Sequence, residues 1–279
     1  IDINDKYADQ SKLEKIGDLE YEEFLNTGDD NYIWKMPEDE WQAISLSYTS
    51  GTTGHPKGAM QSHEAVILNG SMMSQLHMRV SDDIVVSALP CPHVYANVLM
   101  TGMMMFGTKL ILHKIFEVDT IFESIKVNKA TIFDGVPTMY MFMLNSQNLK
   151  NADLSSLKRC YVGGQTMPVA TMTAVEKEFK VPLIELWGMT EIAGLGATFP
   201  LFGPNKHGSI GCAIPYCDLK IVDINDCSKQ MNTGEVGELM VKGPITMMGY
   251  FGDEQKTRET LEPDGWLHSG DLAKIDQDG

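Results

Sequence analysis

Ser47-Tyr48-Thr49-Ser50-Gly51-Thr52-Thr53-Gly54-His55-Pro56-Lys57-Gly58 is the stretch on which the fold and the chemistry of this sequence turn. The run Ile44–Thr49 predicts a strand before it, and apolar residues at helical spacing predict a helix over His63–Met78 after it. Between them, glycines let the backbone turn back tightly and bring N–H groups close to a bound anion. The hydroxyls of Thr49, Ser50, Thr52 and Thr53 add donors, and Lys57 adds a point charge. Ser62 is placed to cap the helix, and Glu64 suits its first turn. A bare Ser/Thr/Gly run reads as a flexible linker. The strand before it, the helix after it and the single lysine turn the reading towards a phosphate loop. It is not a Walker A loop, because Lys57 is followed by Gly58 and Ala59 instead of Ser or Thr.

Working outward, short β-branched runs alternate with stretches of helical period. Strands are predicted at Ile84–Leu89, Lys109–Leu112, Thr131–Phe133, Cys160–Val162 and Leu183–Leu186. Helices are predicted at Ala96–Met105, Asp119–Asn128, Thr138–Asn145 and Val169–Phe179. This alternation implies βαβ units, so the predicted class is α/β: a largely parallel sheet flanked by helices over residues 43–200, with Ile44–Thr49 as its first strand. Residues 1–42 read as an irregular lead-in with one short helix near Tyr21–Leu25. After Pro200 helical periods cease. Short strands at Leu219–Val222, Gly237–Val241 and Trp266–Leu267 predict a smaller β-rich lobe over 201–279.

Composition narrows the partners. The chain has 279 residues and a formal net charge of -16. Such a surface repels nucleic-acid backbones and anionic lipid, and any bound polyanion needs a local cluster of cations, N–H groups or Mg²⁺. The 5 cysteines are an odd number at irregular spacing, which points to reduced thiols and a cytoplasmic protein instead of a disulfide framework. The longest apolar run, Val98–Gly107, is too short to span a bilayer. Peripheral membrane contact stays open.

A second segment, Glu185-Leu186-Trp187-Gly188-Met189-Thr190-Glu191, closes a predicted strand. A hydroxyl beside a carboxylate at a strand's carboxyl end suits a Mg²⁺–phosphate site, and Gly188 would let a flat ring lie against the backbone. A polar turn accounts for the same residues equally well when they are taken alone. Gly163-Gly164-Gln165, at another strand exit, reads by itself as a turn.

Taken together and in order, these segments and Gly265-Trp266-Leu267-His268-Ser269-Gly270-Asp271 resemble the adenylate-forming (AMP-binding) superfamily. That superfamily holds acyl-CoA synthetases, aryl-CoA ligases, luciferases and peptide-synthetase adenylation domains. The resemblance runs from about Pro37 to the end. It departs from the usual pattern at Trp187 (more often Tyr), Gln165 (more often small) and Ser269 (more often Thr). It implies that Thr49, Ser50, Gly51, Thr52, Thr53 and Gly54 wrap the phosphates with Lys57. Gly163, Gly164, Gln165, Glu185, Leu186, Trp187, Gly188 and Met189 would hold the adenine, and Asp271 the ribose. Thr190 would touch phosphate and Glu191 would carry Mg²⁺. His93, Val136 and Gly188 would border the acyl group.

The implied reaction is ATP-dependent activation of a carboxylic acid to acyl-AMP with release of pyrophosphate, followed by transfer to the CoA thiol. The family implies Lys57, Thr190 and Glu191 as its catalytic residues. A fatty acid is favoured over a dicarboxylic acid, because no basic residue lies near His93 or Val136 in sequence. The 19 methionines are mostly core, with some available as a soft wall for an alkyl chain. Two alternatives stay open: an adenylation domain serving a carrier protein, and a nucleotide-binding module without catalysis. In the family a hinge and a small C-terminal domain with an essential lysine follow. The resemblance therefore implies a fragment that adenylates poorly by itself.

Overall fold

The computed structural model describes Lys15, residues 17–49 and residues 56–279. The chain divides into two compact units, residues 1–38 and 39–279. In the first, the described residues form one short helix, α1 (Tyr21–Leu25), which buries no side chain.

The second unit opens with β1 (Ala43–Thr49) and β2 (Lys57–Ser62), paired antiparallel with Thr49 opposite Lys57. This corrects the expectation that Ile44–Thr49 belongs to the parallel sheet. A parallel crossover needs about a dozen residues or more, and the sequence between Thr49 and Lys57 is far shorter. β1 also turns the apolar side chains of Ile44, Leu46 and Tyr48 outward and keeps Ser45, Ser47 and Thr49 partly covered. α2 (His63–Leu76) follows β2 directly, and the Ser62 hydroxyl accepts from the Ala65 N–H at 3.1 Å.

The central layer is a seven-stranded sheet. In chain order its makers are β3 (Ile84–Ser87), α3 (Val94–Phe106), β4 (Lys109–Leu112), α4 (Val118–Asn128), β5 (Ile132–Gly135), α5 (Pro137–Asn145), β6 (Arg159–Gly163), α6 (Val169–Phe179) and β7 (Leu183–Met189). Five strands run parallel in the order β4-β3-β5-β6-β7. β8 (Gly194–Thr198) and β9 (Cys212–Ala213) extend the sheet antiparallel. β5 and β6 are buried throughout, as strands covered on both faces must be. The order reverses between β3 and β5. In an open parallel sheet that reversal opens a crevice at the strands' carboxyl ends, where ligands bind.

The remaining elements are β10 (Asp218–Val222), β11 (Gly237–Lys242), β12 (Gly249–Tyr250), α7 (Glu254–Thr260) and β13 (Leu267–Ala273). β10, β11 and β13 form an antiparallel sheet, whereas β12 pairs with β2. The strands therefore do not sort at residue 200: β9 lies in the central sheet and β12 beside β2. Helices do not stop at Pro200 either. α7 has the sequence EQKTRET and buries nothing, so it carries no apolar period to read. Asp253 starts it, accepting from the Lys256 N–H at 2.9 Å. Among the described residues no helix is long and apolar enough to cross a membrane.

Candidate active site

Two adjoining hollows occupy the carboxyl ends of the parallel strands. The larger is a cleft of about 690 Å³ between the end of the central sheet and the β10–β11–β13 sheet. Gly164, Gln165, Glu185, Leu186, Trp187, Gly188 and Asp271 all line it. The smaller is an apolar slot walled by Met73, His93, Val94, Tyr95, Val98, Leu195 and the backbone of Gly163 and Gly194. Gly164, Leu186, Trp187 and Gly188 line both hollows. One molecule in each would therefore meet over β7.

The polar groups of the cleft are set by their strands. Glu185 is 6% exposed, and its Oε2 has no hydrogen-bond partner among the described residues. Burial pushes its carboxyl above the ordinary range, against the opposing pull of His207 and the backbone N–H groups of Met167 and Gly208. Such an oxygen is an acceptor waiting for a donor. Across the cleft the indole Nε1 of Trp187 donates to Asp271 Oδ2 at 2.8 Å, tying β7 to β13. Gly188 sits at a register shift between β7 and β8. A Cβ there would lie 1.8 Å from the Gly194 carbonyl oxygen, so no side chain fits.

The slot is anchored from beneath. Tyr95 donates its hydroxyl to Asp134 Oδ1 at 3.1 Å, and Arg79 pairs with both Asp134 oxygens at 3.0 Å. Burial, then the adjacent Asp134 charge, keeps Tyr95 well above its usual pKa and so neutral. His93 caps α3, its Nδ1 accepting from the Tyr95 N–H at 3.2 Å. Desolvation lowers its pKa, which favours the neutral ring.

Beyond the cleft, β7 runs into a 3₁₀ turn, Thr190–Ile192. Asn69 of α2, fully buried, donates to the carbonyls of Ile192 at 3.1 Å and Leu195 at 2.8 Å and accepts from the Leu195 N–H at 2.9 Å. Gln61 of β2 donates to the Thr190 carbonyl. The Met247 N–H donates to the Glu191 carbonyl at 2.7 Å. The turn is thus pinned from three sides. Its Glu191 carboxylate accepts from the Tyr250 hydroxyl at 2.6 Å, and Lys57 Nζ donates to that same hydroxyl at 3.2 Å while lying 4.4 Å from the ring centroid. Burial first, and then the Glu191 hydrogen bond, raises the Tyr250 pKa, so it stays a protonated donor. Lys57 and Glu191, far apart in sequence, are one hydroxyl apart in space. Thr49, opposite Lys57, has a buried Oγ1 with no partner among the described residues.

The structure places most of the sequence-predicted residues at this end of the sheet. Thr49, Lys57, Thr190 and Glu191 gather on the β2–Tyr250 side. Gly164, Gln165, Glu185, Leu186, Trp187, Gly188 and Asp271 line the cleft, and His93 and Gly163 line the slot. Val136 borders Gly164, 3.5 Å from where a Cβ would stand there, but lines neither hollow. Met189 also lines neither. Ser50, Gly51, Thr52, Thr53 and Gly54 lie outside the described residues. Sequence reasoning missed Tyr250, Gln61 and Asn69. Tyr250 lies in the stretch Gly243–Tyr250, which also resembles the family but was given no role; for Gln61 and Asn69 the signal was polarity on otherwise apolar faces.

Residues 4–251 match the family model described as AMP-binding enzyme. A long-chain-fatty-acid–CoA ligase of Bacillus subtilis is 34% identical over 87% of this chain and 43% of its own length. An indoleacetate–CoA ligase of Aromatoleum aromaticum is 34% identical over 85% of this chain and 46% of its own. Among solved structures, ATP-bound MatB from Rhodopseudomonas palustris superposes with a TM-score of 0.82 at 28% identity, covering 89% of this chain and 49% of that one. The chain thus spans about half the length of the curated relatives it matches.

Proposed function

The chain belongs to the AMP-binding enzyme family, and from that premise we propose that it forms the nucleotide and acyl sites of an acid–thiol ligase. On this reading a carboxylic acid is activated with ATP to acyl-AMP, pyrophosphate leaves, and the acyl group passes to the thiol of CoA. The observation that carries the reading is the shared wall of the two hollows at Gly164, Leu186, Trp187 and Gly188. A carboxylate emerging from the apolar slot meets a nucleotide in the cleft at that wall.

Each residue then has a task. The adenine ring lies between the Gly163–Gly164 strand exit and Trp187. Its amino group donates to the unpartnered oxygen of Glu185. Asp271 accepts from the ribose hydroxyls, giving up or sharing its bond to Trp187 Nε1. Lys57, Thr49 and Thr190 place positive charge and hydroxyls against the phosphates, which offsets the acidic field of the chain. The acid's carboxylate attacks the α-phosphorus in line and needs no general base, since it is ionised at neutral pH. The Glu191 carboxylate, pinned by its turn and leaving one oxygen beyond the Tyr250 bond, is a hard donor suited to Mg²⁺. Bound there, the ion would neutralise phosphate charge.

The slot favours an apolar acid. The described residues that line it include no Lys or Arg, and the relatives named above include ligases of a long-chain fatty acid and of indoleacetate. We take a fatty acid as the substrate. The slot volume of about 40 Å³ accepts only a few heavy atoms as it stands, so a longer chain requires movement around Tyr95 and Val98. Acid-dependent exchange of labelled pyrophosphate into ATP, run over acids of graded length, tests the function. Exchange that depends on an added acid supports it. ATP binding without exchange for any acid would leave only a nucleotide-binding module.

A further inference from the structure

A cluster of metal-ligating side chains stands outside the nucleotide cleft, on the β10–β11–β13 sheet. His268 on β13 faces Glu238 with one ring nitrogen and Glu262 with the other, at Nδ1–Oε2 2.9 Å and Nε2–Oε1 3.1 Å. The Cys227 sulfur lies 3.7 Å from the same Glu262 oxygen. One donor each from Cys227, Glu262 and His268 falls within 4.8 Å of the others.

The two separations to Glu262, 3.1 Å from His268 and 3.7 Å from Cys227, are close to those around a shared ion. Tetrahedral zinc, with bonds of about 2.0–2.3 Å to nitrogen, oxygen and sulfur, sets its donors roughly 3.3–3.7 Å apart. Three backbone devices hold the donors there. The loop carrying Cys227 is closed by the Val222–Gln230 bridge and by the Asp223 N–H to Lys229 carbonyl bond at 2.9 Å. The turn carrying Glu262 is closed by the Leu261–Leu267 bridge and by its own N–H on the Trp266 carbonyl at 2.8 Å. His268 is registered opposite Met240 of β11. Glu238 completes the arrangement: with an ion on Nε2, its carboxylate would accept from the Nδ1–H and orient the ring.

We propose that Cys227, Glu262 and His268 bind one zinc-type divalent ion, with a water completing the fourth position. The thiol enters as thiolate and its proton passes to solvent. The thiolate and imidazole select zinc or cobalt over magnesium, whose preference is for oxygen alone. Bound there, the ion ties the Cys227 loop and the Glu262 turn to β13, the strand that carries Asp271 into the cleft. None of the three ligands lines that cleft, so the site is independent of the adenylating reading.

The test is titration of the reduced protein with Co²⁺ in buffer containing excess Mg²⁺, followed by optical absorption. The expected result is a thiolate-to-cobalt charge-transfer band saturating at one equivalent, competed by Zn²⁺. It should vanish in Cys227→Ser and need at least tenfold more metal in Glu262→Gln. Cys91→Ser and Cys212→Ser, which alter other exposed thiols, should keep it, as should Glu191→Gln. Zn²⁺ should raise the melting temperature of the parent chain and not of Cys227→Ser, whose metal-free melt confirms that it folds. Absence of the band, or its survival in Cys227→Ser, would leave His268 as a bridge between two carboxylates only and overturn the proposal.

Discussion

Tyr250→Phe removes one oxygen from the centre of the proposed phosphate site. That oxygen donates to Glu191 at 2.6 Å and accepts from Lys57 at 3.2 Å. Tyr250 and Glu191 are 4% and 7% exposed, so water does not readily replace the lost donor. A hydrogen bond to a charged group contributes about 1.5–3 kcal/mol, and leaving its acceptor bare costs a similar amount. Lys57, freed from the hydroxyl, can swing to the Glu191 carboxylate and offset part of this. A net loss of about 1–2 kcal/mol in unfolding free energy follows. The consequence for ligands is more specific. A Glu191 paired directly to Lys57 would no longer be preset for the proposed Mg²⁺, nor would Lys57 face the phosphates in the proposed mode. Affinity for Mg·ATP should fall about tenfold, which is about 1.4 kcal/mol. In the proposed mode AMP draws mainly on the cleft residues, and it should bind within about twofold of the parent. Titrations of both nucleotides, read by calorimetry or by the fluorescence of Trp187 and its fellow tryptophans, measure the split. Equal losses for AMP and Mg·ATP, or none for either, would rule out Tyr250 as the link that presets Glu191 and Lys57.

Other consequences follow from the same geometry. Asn69→Ala strips three hydrogen bonds from the Thr190–Leu195 turn and should destabilise the chain by about 3 kcal/mol or more in denaturant unfolding, with Mg·ATP binding lost even where the variant stays folded. Gly188→Ala drives a Cβ to 1.8 Å from the Gly194 carbonyl oxygen, which should separate β7 from β8 and lower stability by about 1–3 kcal/mol. For Asp83, burial raises the pKa, but the Thr131 hydroxyl at 2.7 Å and the Arg159 guanidinium at 2.6 Å outweigh it, so the net shift is downward. A carboxyl lowered in the folded state adds stability above its unfolded pKa of about 3.9 and loses it as pH falls through the folded value. The stability advantage of the parent over Asp83→Asn should therefore be constant near neutrality and shrink below about pH 4, as measured by urea melts across pH.

How much of this was written in the sequence depends on the range of the interaction. α6 has the bounds that its apolar period predicts, because Met172, Val175 and Phe179 form one buried face. β4 likewise matches its β-branched and aliphatic run. β2, Lys-Gly-Ala-Met-Gln-Ser, carries little strand propensity of its own. It is a strand because β1 and β12 hydrogen-bond to its two edges, and β12 comes from the far end of the chain. α7 rests on the Asp253 cap and side-chain pairs such as Lys256–Glu259, which hydrophobic patterning does not register. In the site, local motifs marked Lys57, the Trp187–Glu191 segment and Asp271. Tyr250 was not legible as their connector, because its bonds to Glu191 and Lys57 exist only once β12 lies against β2. The bond between Trp187 and Asp271 similarly appears only when β13 meets the end of β7.

A crystal of the protein soaked with ATP and Mg²⁺ would show the nucleotide in place. Adenine is expected between Gly164 and Trp187 with its amino group on Glu185, and phosphates beside Lys57 with the metal on Glu191. A nucleotide bound outside that cleft, or a triphosphate directed away from Lys57 and Glu191, would contradict this placement.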